Sequence, residues 1–135
     1  MSIPPPPPDD PWALVIAHDP REGDRLAALI AEHRPVRSVT RIAECLRILA
    51  THPSVKMVCV DLDLPAGAGV LLARAIRAER RYDHVDVVAF GGDDAADHVA
   101  AIRAGVSRCL TAPVRAKSIE GLVRRTRRSA PPRAA

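Results

Sequence analysis

Aromatic residues are nearly absent from the sequence: Trp12, Tyr82 and Phe90 are the only three among 135 residues. Three rings are too few for the stacking platform on which proteins hold single-stranded nucleic acid. Cysteine is scarce as well. Cys45, Cys59 and Cys109 are odd in number, far apart and set in apolar segments, which suits reduced core thiols rather than a disulfide framework or a zinc cage. No apolar stretch runs uninterrupted for the length of a bilayer, and the N-terminus lacks the basic-then-apolar order of a secretory signal. Neither a membrane span nor export is supported, so a cytoplasmic location is expected.

Proline is concentrated near the N-terminus and net positive charge near the C-terminus. Prolines at 4 to 8 and 11 favour extended polyproline conformation and pack no core, so 1–11 is expected to be a disordered leader. The tail 129–135 reads the same way, which leaves 12–128 as one domain, large enough to bury a core without staples. The net charge of +4 is concentrated late: residues 113–135 carry seven Lys or Arg against the single Glu120. Arg124, Arg125, Arg127 and Arg128 read as a solvated helix end that complements the helix dipole; nucleic-acid phosphate contact is the alternative and is not expected.

Between these ends, short apolar runs alternate with longer segments of helical period. Trp12 to Ala17 is almost continuously apolar, as a strand buried on both faces must be, and Leu26, Leu29 and Ile30 then recur at helix spacing. The unit repeats. Val36 to Val39 precedes a helix with Ile42, Leu46 and Leu49, and Val55 to Val60 one with Val70, Ala73 and Ile76. Val85 to Phe90 precedes a helix with Val99 and Ile102, and Ser107 to Leu110 one with Ile119, Leu122 and Val123. Alternation with short links forces parallel strands and right-handed crossovers, so the fold class is α/β, a (βα)5 doubly wound parallel sheet. The second and fifth runs carry polar residues and belong at the edges, which gives the flavodoxin-like order 2-1-3-4-5.

In such a sheet, ligands bind at the carboxyl ends of the strands that flank the topological switch, here the first and third. The first ends Ala17-His18-Asp19 and the third Val60-Asp61-Leu62-Asp63, so Asp19 and Asp61 converge. Two unneutralised carboxylates repel, and a hard cation such as Mg2+ removes the cost. An Asp at a strand tip is also a potential phosphoryl acceptor. The plainer reading is of solvated loop acids that cap helices.

At these residues the chain resembles the receiver domain of bacterial two-component response regulators. Ile16-Ala17-His18-Asp19-Pro20 matches the acidic end of the first strand, Val58 through Pro65 with Gly69 the phosphoacceptor strand and loop, and Ala104-Gly105-Val106 through Leu110-Thr111-Ala112-Pro113-Val114 the last loop and strand. By position, the resemblance implies that Asp61 is the phosphoacceptor, Asp19 a metal-binding acid and the backbone carbonyl of Asp63 a third Mg2+ ligand. Pro113 would be the structural cis-proline. It also implies a histidine kinase or histidine phosphotransfer protein as partner, docking on the first helix near Leu26 and Ile30. A downstream protein target or a second copy would use the face of the fourth and fifth helices.

Four positions depart from the family pattern. His18 stands where receivers carry a first acid, and imidazole is a poorer Mg2+ partner than carboxylate. Ala112 replaces the lysine before Pro113, Cys109 replaces the aromatic switch residue, and the phosphoryl-binding hydroxyl falls on Gly91, or on Phe90 if no gap is allowed. A phosphoryl group moves a switch only through contacts it gains in one state, and few such partners remain. The expectation is an atypical single-domain response regulator in phosphorelay signalling, not an enzyme, with weak Mg2+ binding and impaired switching. A phosphorylation-independent pseudo-receiver is the alternative. Asp61-Leu62-Asp63 also has the nucleophile-x-acid spacing of haloacid-dehalogenase-type phosphatases, with Gly92-Asp93 and Asp97 as a late motif. That family places its nucleophile on the first strand and a lysine between the motifs, and from Pro65 to Gly92 there is no lysine.

Overall fold

The computed structural model describes residues 11–92, 94–111 and 114–128, with side chains as far as Val123. The leader at 1–10, Asp93, Ala112, Pro113 and the tail from 129 lie outside the described residues, as do the readings placed on them and on the arginine side chains from 124.

Among the described residues five strands alternate with five main helices. In chain order these are β1 (Trp12–Ile16), α1 (Pro20–Ala31), β2 (Val36–Val39), α2 (Ile42–Thr51), β3 (Val55–Asp61), α3 (Ala68–Ala78), β4 (Asp86–Phe90), α4 (Ala95–Arg103), β5 (Arg108–Leu110) and α5 (Ala116–Arg128). The strands pair in parallel in the order β2-β1-β3-β4-β5. The two polar runs are the edges, as expected: β2 and β5 are only partly buried, whereas all of β1 is buried.

Side chains of a strand alternate between faces, and β1 shows where each goes. Trp12, Leu14 and Ile16 join Cys45, Ile48 and Leu49 of α2 and Leu72, Ala73 and Ile76 of α3 in one core. Ala13 and Val15 join Leu26 and Ile30 of α1 and Ile119, Leu122 and Val123 of α5 in the other. Each core offsets the backbone ordering cost through apolar area removed from water, about 25 cal/mol per Å2. Arg34 is buried at the end of the first βα unit, and its Nη2 donates to the Val123 carbonyl oxygen at 3.2 Å, tying the α1 side to α5.

One expectation is corrected. Leu26 and Ile30 are 2% and 0% exposed, so they hold α1 on the sheet and offer nothing to a partner. The helix spacing that singled them out is that of a core-facing stripe. Val99 and Ile102 show the reverse: their spacing does mark a helix, but they are 50% and 53% exposed, and Ala101 is what α4 buries.

Candidate functional site

The β1 and β3 strands are neighbours with Ile16 opposite Val60, so His18 and Asp19 leave the sheet beside Asp61. Asp61 is the last residue of β3, opposite Phe90 of β4, and is only 5% exposed. Burying a carboxylate is costly unless its oxygens find donors, and both do. The His18 backbone N–H donates to Oδ2 at 2.9 Å and the Asp63 backbone N–H to Oδ1 at 2.8 Å. Beneath it, α3 approaches so closely that a Cβ on Gly69 would collide with the Asp61 carbonyl oxygen, so glycine there sets the distance between helix and strand tip.

Asp19 is exposed and turned toward its own helix. Its Oδ1 accepts the Arg21 backbone N–H at 2.9 Å as the N-cap of α1, with Pro20 at the start of the helix and Glu22 in the first turn. Proline at the first position and acid in the first turn suit a helix start and its dipole. The capping reading of this acid therefore holds, alongside its place at the site.

An open cleft of about 770 Å3 runs over these residues, lined by His18, Asp19, Glu22, Arg25, Asp61, Asp63, Phe90, Gly91 and Val114. Of the two positions ending β4, Phe90 is buried in the core with α1 and α5, and Gly91 faces the acids. Gly91 has φ +72°, and a Cβ on it would stand 2.8 Å from Asp63 Oδ2 and 3.0 Å from Asp61 Oδ1. The Asp63 carboxylate thus fills the place beside Asp61 that a side chain at 91 would need. Cys109 lies on β5 opposite Ala89 and packs against the core that α2, α3 and α4 cover.

Four carboxylates on one cleft, with Arg25 the only Lys or Arg among its lining residues, suit a hard cation in charge and in donor chemistry. Geometry is less generous. Among the described residues no three His, Cys, Asp or Glu side chains converge to hold a metal, so an ion here would keep much of its water.

Sequence reading missed Glu22, Arg25 and His98. Glu22 and Arg25 follow Asp19 at intervals of three and so share its side of α1, a signal present in the sequence. His98 sits on α4 with Nε2 facing the carbonyl oxygens of Gly91 and Gly92, which no spacing rule would have shown.

No family model matches the chain, and no curated protein matches it. Solved structures do. A candidate two-component response regulator/GGDEF domain protein superposes with a TM-score of 0.79 at 19% identity over 89% of this chain, which spans 50% of that longer one. A candidate response regulator from Chloroflexus aurantiacus gives a TM-score of 0.79 at 16% identity over 89% of this chain and 99% of that one. The signal receiver domain of a DNA-binding response regulator from Colwellia psychrerythraea gives 0.73 at 19% identity, covering 85% and 99%.

The chain has the receiver-domain fold. Within that fold Asp61 ends the central strand, and Asp19 caps α1 just beyond the end of the neighbouring strand β1. No helix among the described residues is long and apolar enough to cross a membrane.

Proposed function

We propose that the chain is an atypical receiver of two-component signalling, with Asp61 as phosphoacceptor and a switch only loosely coupled to it. One observation carries the reading: Asp61 is a buried strand-tip carboxylate, held by two backbone N–H groups and opening on a cleft, while an acid and not a hydroxyl stands beside it at Gly91. A carboxylate oxygen attacks the phosphorus of a phosphoramidate or acyl phosphate, the bond from phosphorus to the donor breaks, and the leaving group departs with a proton if it is an amine. The His18 and Asp63 N–H groups orient the nucleophile. Asp19 and Asp61, with the Asp63 carbonyl, would hold a weakly bound Mg2+, which would neutralise charge on the incoming phosphoryl group. A histidine kinase or histidine phosphotransfer protein is the proposed donor. The exposed Val99 and Ile102 of α4 support a downstream protein, or a second copy, as the contact on that face.

The placement of the Asp63 carboxylate favours a second reading, a pseudo-receiver that binds its partner without phosphorylation, because it sets a second negative charge beside Asp61 that an incoming phosphoryl group would meet. Wild type and Asp61→Asn incubated with phosphoramidate and Mg2+, followed by intact mass and amide shifts, separate the two. One phosphoryl group on wild type alone, with shifts confined to the cleft, is the expected result. Widespread shifts along α4 would show a conventional switch, and unchanged mass at saturating donor would leave the pseudo-receiver.

A further inference from the structure

The lysine that would neutralise a phosphoryl group is replaced by Ala112, and the cleft around Asp61 is lined by Asp19, Glu22 and Asp63. A dianion added there meets three further negative charges, which repel it. One cation lines the same cleft: Arg25, in the second turn of α1. Its Nη2 donates to the Val114 carbonyl oxygen at 3.1 Å, across a chain separation of 89 residues. Among the described residues this is its one hydrogen bond, and it makes no ion pair with them. A guanidinium has five N–H donors in a planar fork suited to two oxygens of one phosphoryl group, so most of its capacity is uncommitted.

Resting on the phosphoacceptor reading of Asp61, we propose that Arg25 is the cationic partner of the phosphoryl group, supplying from α1 the charge that position 112 lacks. The bond to Val114 keeps the guanidinium at the mouth of the cleft, at little entropic cost when the anion arrives. The counter-charge then comes from α1, beside the loop that follows β5, and not from position 112. A purely structural Arg25, stapling α1 to Val114, is the competing account, and the two differ in what a neutral donor can replace.

Beryllofluoride with Mg2+ serves as the phosphoryl probe, titrated into 15N-labelled protein, with Asp61→Asn as the control that does not bind. In wild type the Arg25 Nε–H resonance moves on saturation. Arg25→Gln keeps an amide donor for Val114 but no charge, and weakens the probe about tenfold or more, the loss expected for one charge-assisted hydrogen bond. Arg25→Lys falls between. Equal binding by wild type and Arg25→Gln, or an unmoved Arg25 Nε–H resonance in saturated wild type, overturns the role of Arg25 and leaves the reading of Asp61 intact. Failure of wild type to bind the probe and to take up phosphoryl from phosphoramidate overturns both. Should Arg25→Gln not fold, Arg25→Lys and the wild-type resonance decide.

Discussion

The imidazole of His98 is pinned to the loop that closes the acidic cleft, its Nε2 lying 2.9 Å from the Gly92 carbonyl oxygen and 3.3 Å from that of Gly91. Both partners only accept, so Nε2 carries the proton. The bond joins α4 to two residues of positive φ, Gly91 against Asp61 and Asp63 and Gly92 against Leu62. His98→Ala is expected to cost about 1 kcal/mol, the usual net worth of one hydrogen bond, and to speed amide exchange selectively at Gly91 and Gly92. Denaturant unfolding and hydrogen exchange by NMR measure the two effects, and uniform exchange across α4 would refute the pin.

Restoring a hydroxyl at position 91 is expected to fail. Gly91→Thr puts a β-branched residue at φ +72° and drives its Cβ into the Asp63 carboxylate, at a cost of about 2 to 3 kcal/mol. Phosphoryl uptake and the α4 shifts should be no greater than in wild type, as intact mass and amide spectra would show. A gain in either would mean that Asp63 yields easily.

Asp19 caps α1, and on the proposed reading it also holds Mg2+. Its Oδ1 caps α1, so Asp19→Ala should lose about 1 kcal/mol, whereas Asp19→Ser keeps a capping oxygen and most of that stability. Neither variant keeps the charge. Both should therefore weaken Mg2+ binding alike in an isothermal titration, while only Asp19→Ala lowers Tm.

The buried thiols set a limit at high pH. Burial pushes Cys45 and Cys59 up from 9.0 to about 12, with Glu44 adding to the effect at Cys45, and burial also raises the partly exposed Cys109. Between pH 9 and 12 the unfolded chain sheds protons that the folded chain keeps, so stability falls as pH rises, by up to about 1.4 kcal/mol per pH unit for each of the two buried thiols. A thiol reagent at pH 8 should label only Cys109 in the folded protein and all three in denaturant. Rapid labelling of Cys59 without denaturant would contradict the packing.

The fold was legible because a parallel strand buried on both faces reads as an unbroken apolar run, and Trp12 to Ala17 and Val58 to Val60 are such runs. Edge placement followed from the polar residues Arg37, Ser38 and Arg108. Facing was not legible on α4. Apolar spacing at Val99 and Ile102 marks a helix, but which side meets the sheet depends on how the small Ala101 lets α4 approach. On α1 the apolar spacing at Leu26 and Ile30 marks the core-facing stripe, so a partner near them would have to meet other residues of the helix. Asp19 and Asp61 could be placed together because topology alone fixes two adjacent strand tips. His98 could not, and for Arg25 the spacing gave the side of α1 but not the bond to Val114, because both bonds end on carbonyls whose positions only the folded backbone determines.

Asp61 has no idle oxygen. Oδ2 is the acceptor that ties the tip of β3 to the chain leaving β1, and Oδ1 shapes the turn through Leu62 and Asp63. A group attached to the first oxygen loosens the seam between two strands, and one attached to the second slackens the turn that leads toward α3. Either way the modification is felt first by the main chain. On the phosphoacceptor reading, a change at Asp61 would therefore bear first on the backbone where α1 and α3 begin.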